Sequence, residues 1–132
     1  MKITADTNVL VRAMVGYDPT DSPIARGELE CAEAVAVTLP TLCELAWVLS
    51  RRYKFPAGEI ARAFRRLIYA AHVLVDRPAA AAGLAFLEAG GDFADGVIAF
   101  EGARLGADAF VSFDTSAVKL ALAHGIAARS PA

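Results

Sequence analysis

The chain alternates short apolar runs, bounded by turn formers, with longer segments whose apolar residues recur at helical spacing. The short runs predict strands at Ile3–Ala5, Val35–Thr38 within "AVAVTLP", His72–Val75 ("HVLV") and Ala109–Phe113 ("AFVSF"). Between them the periodicity predicts helices at Asn8–Val15, Ile24–Ala34, Thr41–Tyr53 and Ala57–Ala71. Three more follow: one from Pro78 to Gly90-Gly91, one over "DFADGVIAFEGARLG" closed by Gly106, and one over "SAVKLALAHG" closed by Gly125. Pro40, Pro56 and Pro78 suit first helical turns, and "GYDPTDSP" (Gly16–Pro23) is dense enough in turn formers to be a loop. No internal repeat and no low-complexity linker interrupts the pattern.

Strands alternating with helices predict an α/β fold: a central parallel sheet of four to five strands flanked by helices. At 132 residues the chain is read as a single domain, 1–132, large enough to bury a core. Hydrophobic residues make up 56% and mean hydropathy is +0.44. Much of this is alanine, yet the excess still predicts some apolar surface covered by a second chain. No apolar run approaches the ~18 residues of a membrane span and no signal peptide is visible, so a cytoplasmic location is expected. Cys31 and Cys43 match no paired-ligand spacing and read as small apolar fillers in a reducing compartment. The net charge of −2 gives no overall nucleic-acid footprint, so a polyanion would have to be met by a local patch or by metal ions.

The acidic residues change the picture. Parallel α/β sheets bind ligands beyond the carboxyl ends of their strands, and Asp6 and Asp114 both sit there. Asp92 and Asp95 open the helix after Gly90-Gly91, where they suit an N-cap and the positive end of the helix dipole; their spacing puts both on one edge of a turn, and the dipole is expected to keep them ionised. Asp114 has a capping reading too. At Asp6 that reading is weakest, since Thr7 and Asn8 could cap the following helix. Glu44, the one charge in "LCELAWVL", lies opposite the apolar stripe Leu42, Leu45, Ala46 and Leu49, flanked by Cys43 and Val48; a solvent-facing and a functional reading are evenly matched. Four carboxylates on one rim require compensation, and oxygen-only ligands suit Mg²⁺ or Mn²⁺. The catalytic elbows and phosphate-binding glycine loops of other chemistries are missing, and His72 and His124 have no partner at ligand spacing. Arg51, Arg52 and Lys54 in "RRYKF", with Arg62, Arg65 and Arg66, hold six of the thirteen Lys and Arg residues: a solvated face or an RNA-phosphate patch.

Taken together, "ADTNVLV", "PTLCELAWVL", "GDFADGVIA" and "SFDTSAVKL" resemble, in order and spacing over nearly the whole chain, the PIN domain and more narrowly the VapC ribonuclease toxins. The resemblance implies a Mg²⁺- or Mn²⁺-dependent endoribonuclease that leaves 5′-phosphate ends. It implies Asp6, Glu44 and Asp95 as metal-site acids, completed by Asp114 and Asp92, with Asn8 and Ser112 orienting ligands or a water. It also implies RNA as substrate, a homodimer and a cognate antitoxin. Gly96 departs from the family's usual Ala at some cost in helix propensity, and Asp18–Glu30 matches poorly. Two other readings compete. One is a PIN-like module that binds RNA or a partner without cutting. The other is a phospho-accepting receiver with Asp76 as acceptor; it lacks a second acid beside Asp6, and its Lys119 falls inside a helix.

If the arginines meet phosphates, neutralising Arg62, Arg65 and Arg66 together lowers the slope of log binding constant against log salt for RNA. An unchanged slope in a salt titration returns them to the solvated face.

Overall fold

The computed structural model describes residues 1–132. Its contacts divide the chain into two compact units, Met1–Arg77 and Pro78–Ala132.

In the first unit, strands β1 (Lys2–Thr4), β2 (Ala34–Ala36) and β3 (Val73–Leu74) form a parallel sheet in that order. Ile3 pairs with Val35, and Val35 with Val73. Ala5 N–H donates to Ala36 O at 3.1 Å and Val37 N–H to Leu74 O at 2.9 Å, so the ladder runs on to the loops at the strands' carboxyl ends. Helices α1 (Thr7–Val15), α2 (Asp21–Cys31), α3 (Leu39–Trp47) and α4 (Ala57–Ile68) make the crossovers. The expected stripe on α3 is the buried one: Leu42, Leu45, Ala46 and Leu49 face the core with Leu10, Val35, Ile60, Phe64 and Ile68.

Helix α2 starts at Asp21, inside the segment expected to be a loop. Asp18 explains it: one of its carboxylate oxygens accepts from the N–H groups of Thr20 (2.9 Å) and Asp21 (2.7 Å). Those two bonds satisfy donors that a helix start leaves orphaned and hold the Asp18 carboxyl below its ordinary pKa. Pro23 is tolerated because it falls in the first turn. The helix expected over Thr41–Tyr53 instead changes character at Val48. Val48–Arg52 is a π-helical turn, closed by Tyr53 N–H donating to Val48 O at 3.2 Å, and Lys54 follows with φ 60°. Periodicity does not register a single inserted residue of this kind.

The second unit holds α5 (Arg77–Glu88, its first residue in the first unit), α6 (Phe93–Arg104) and α7 (Thr115–Ala123), with β4 (Phe110–Val111) and β5 (Ala128–Arg129) paired in parallel. β5 lies beyond the last expected element; its two residues carry no apolar run that would mark them. Phe86, Ala99 and Ala121 form a buried cluster with Phe110, Leu120, Ile126 and Ala128 packed against it. All five strands of the chain are thus paired in parallel and alternate with helices, which is the expected α/β class.

Two readings need correction. Cys31 is exposed, so it is no core filler; it sits in the last turn of α2, on the solvent side. Gly96 is a packing residue. A Cβ there would lie 2.5 Å from Ala82 O and 2.9 Å from the Phe86 ring, because α6 crosses α5 at backbone distance. Gly102 on the same helix has open space around it.

Gly96→Ala therefore lowers the thermal midpoint despite the better helix former, while Gly102→Ala raises stability by about 0.5–1 kcal/mol. Thermal melts of the two variants check the pair.

Candidate metal centre and adjoining cleft

Three of the acids begin helices. Asp6 caps α1, its Oδ1 accepting from Thr7 N–H at 2.9 Å. The helix starts one residue earlier than expected, and capping, thought weakest at Asp6, is what this carboxylate does. Its other oxygen accepts from Asn8 Nδ2 at 3.1 Å. Asp92 caps α6 through Oδ1 and Ala94 N–H at 3.0 Å. Asp114 caps α7 through Oδ1, which accepts from Ser116 N–H (3.0 Å) and Ala117 N–H (3.2 Å). Its own N–H donates to Ser112 Oγ at 3.0 Å. Asn8 and Ser112 thus each hold one of the acids.

Each cap engages one carboxylate oxygen. Oδ2 of Asp92 and of Asp114 accepts no hydrogen bond, and the Asp95 carboxylate has no donor at all. Asp95, half-buried in the first turn of α6, has its pKa raised, first by burial and then by the charges of Asp92 and Asp114. Desolvation and two like charges therefore act against the helix dipole at Asp95.

Glu44 is exposed on α3 and makes no ion pair, and its face is not open solvent. It lines a cleft of about 460 Å³ with Asn8, Arg12, Tyr17, Ser22, Arg52 and Tyr53 among the other walls. Arg51, Arg62, Arg65 and Arg66 are exposed. His72 is exposed, and His124 Nδ1 lies 2.7 Å from Leu120 O.

A family model for the PIN domain matches residues 3–123. The chain belongs to the PIN-domain family. It therefore has a nuclease-type fold, of a kind that acts on nucleic acid. No curated protein and no solved structure matches it significantly. No helix of this PIN-domain chain is long and apolar enough to cross a membrane.

No three His, Cys, Asp or Glu side chains are gathered closely enough to hold a metal ion. The donor chemistry nonetheless fits a hard divalent cation. The acids offer oxygens only, their second oxygens are free of protein donors at Asp92, Asp95 and Asp114, and a cation would relieve the repulsion at Asp95. Sequence reasoning missed Tyr17, Ser22 and Tyr53 as cleft residues. The aromatic spacing carried no signal, and a buried hydroxyl without a partner is visible only in coordinates.

Asp95 also makes a stability prediction for the metal-free protein. A carboxyl whose pKa is raised on folding stabilises the fold below its unfolded pKa of about 3.8, and that contribution is lost as pH rises through the folded value. In EDTA, Asp95→Asn is then at least as stable as the wild type at pH 7, and the difference disappears below pH ~3.8. Melts at both pH values check this; a variant clearly less stable at pH 7 contradicts it.

Proposed function

We propose that this PIN-domain chain is a divalent-cation-dependent endoribonuclease, the toxin of a toxin–antitoxin pair. Asp6, Glu44, Asp95 and Asp114, with Asp92, would hold Mg²⁺ or Mn²⁺, and the domain would run through residues 1–132. The observation that carries the reading is Asp95, a half-buried carboxylate without a hydrogen-bond donor that feels the charges of Asp92 and Asp114, each of which leaves one oxygen free. Asp92 and Asp114 serve the fold as caps, whereas Asp95 gives it no hydrogen bond and a cation site would use its carboxylate.

When bound, the cation supplies positive charge to the phosphate and lowers the pKa of water. The chain's own residues do the rest. The caps fix three carboxylates by one oxygen each, so the ligands are aimed before any cation arrives. Asn8 orients Asp6 by holding its second oxygen, and Ser112 fixes the backbone that carries Asp114. Arg51, Arg52, Arg62, Arg65 and Arg66 give the overall acidic chain a cationic surface for RNA phosphates. Large apolar side chains that stay exposed, Trp47, Leu105 and Phe113 among them, are compatible with a second copy and an antitoxin covering part of the surface. A cytoplasmic location accompanies this role.

Asp95→Asn is the direct test of the acids. The variant keeps its far-ultraviolet circular dichroism and loses RNA cleavage by at least about a hundredfold, with Mn²⁺ affinity by calorimetry falling alongside. Full cleavage by a folded Asp95→Asn protein removes the metal assignment.

A further inference from the structure

The cleft that Glu44 lines has features that the acidic site does not use. Its volume of about 460 Å³ lies in the range of small-molecule sites, roughly 300–1,000 Å³. Among its charged walls, Arg12 is committed: Nε donates to Asp21 Oδ2 at 3.2 Å and Nη1 to Asn8 O at 3.3 Å. Asp18 is committed to two backbone N–H groups. Arg52 has no acidic partner and is the uncommitted cation of the cleft.

The aromatic wall is equally suggestive. Tyr17 is 71% exposed, and its ring lies 5.8 Å from that of Tyr53 at 59°. Tyr53 in turn stacks on Phe55 at 6.3 Å and 18°, which holds it in place and leaves Tyr17 with an open face. The π turn Val48–Arg52 and the left-handed Lys54 present Arg52 and Tyr53 to this wall, in a segment that would otherwise have continued α3. Finally, Ser22 on the cleft wall is 2% exposed, and its Oγ has no hydrogen-bond partner. Buried hydroxyls are ordinarily paired, and an exception calls for an absent partner.

We propose that this cleft binds one nucleotide of a single-stranded RNA. The base stacks on Tyr17 beside Tyr53, the phosphate meets Arg52, and a polar atom of the nucleotide supplies the partner that Ser22 Oγ lacks. The inference rests on the nuclease reading and adds to it where the strand is gripped. Asn8 and Glu44 lie on the same walls, so a nucleotide held here is adjacent to two of the residues assigned to the acidic site. Stacking tolerates any base, because every base has a π face, and the contact to Ser22 is the one that could discriminate.

The test measures fluorescence anisotropy of a 5′-fluorescein single-stranded RNA decamer of random sequence, in EDTA so that no cleavage intervenes. The proteins are full-length wild type, Tyr17→Ala, Arg52→Ala and Ser22→Ala. Tyr17→Ala weakens binding about tenfold and leaves the salt slope unchanged. Arg52→Ala lowers that slope by about 0.7. Ser22→Ala weakens binding about fivefold while its melting temperature stays level or rises, since an unpaired buried hydroxyl has been removed. If wild type binds and cleaves and all three variants bind within twofold of it, the cleft is not the subsite and the nuclease reading stands. If wild type neither binds the decamer nor cleaves it with Mg²⁺ or Mn²⁺, both readings fall.

Discussion

A helix begins with backbone N–H groups that have no partner, and in this chain three acids meet that deficit. Asp6, Asp92 and Asp114 each give one oxygen to the first turn of a helix, at distances of 2.9–3.2 Å. The contact is strong because the acceptor is charged and the helix end is positive. It is also partial: a carboxylate has two oxygens and a cap needs one. Capping and ligation are therefore not rival explanations of these residues. On the proposed reading the cap would supply the rigidity that a cation site requires, and the second oxygen, free at Asp92 and Asp114 and held by Asn8 at Asp6, would be the ligand.

Asp95, which caps nothing, behaves differently. Asp95 lies on the first turn of α6, half-buried, with no hydrogen-bond donor of its own and with Asp92 and Asp114 raising its pKa. A neutral isostere would relieve both the burial and the repulsion. The place of Asp95 beside two capping carboxylates is a feature of the second unit that packing does not account for. Gly96, one residue on, shows how tightly the same turn is seated: the crossing of α6 on α5 leaves no room for a methyl group. Backbone contact of this kind holds the acidic turn still.

The strand–helix alternation was legible because four of the five strands overlap short apolar runs and helices such as α3 carry a stripe, as Leu42, Leu45 and Ala46 show. The family was legible in the four acid-bearing segments taken together, and a family model for the PIN domain matches residues 3–123; the same acids also cap helices, which their spacing already allowed. What escaped depended on details that pattern does not encode. Asp18 starts α2 early through two backbone hydrogen bonds, in a stretch whose composition says loop. The π turn at Val48–Arg52 changes hydrogen-bond register without changing hydropathy. Gly96 reads as a weak helix residue until the neighbouring helix is seen. Ser22, Tyr17 and Tyr53 come together only once α1, α2 and the end of α3 are packed.

The proposed nuclease activity depends on the acids working through a divalent cation on RNA. Its most direct test is cleavage of a mixed RNA pool by the wild-type chain with Mg²⁺ or Mn²⁺, beside the same reaction in EDTA and with Asp6→Asn. The account predicts products ending in 5′-phosphate that require both the cation and Asp6. Cleavage that persists in EDTA or in folded Asp6→Asn would contradict it.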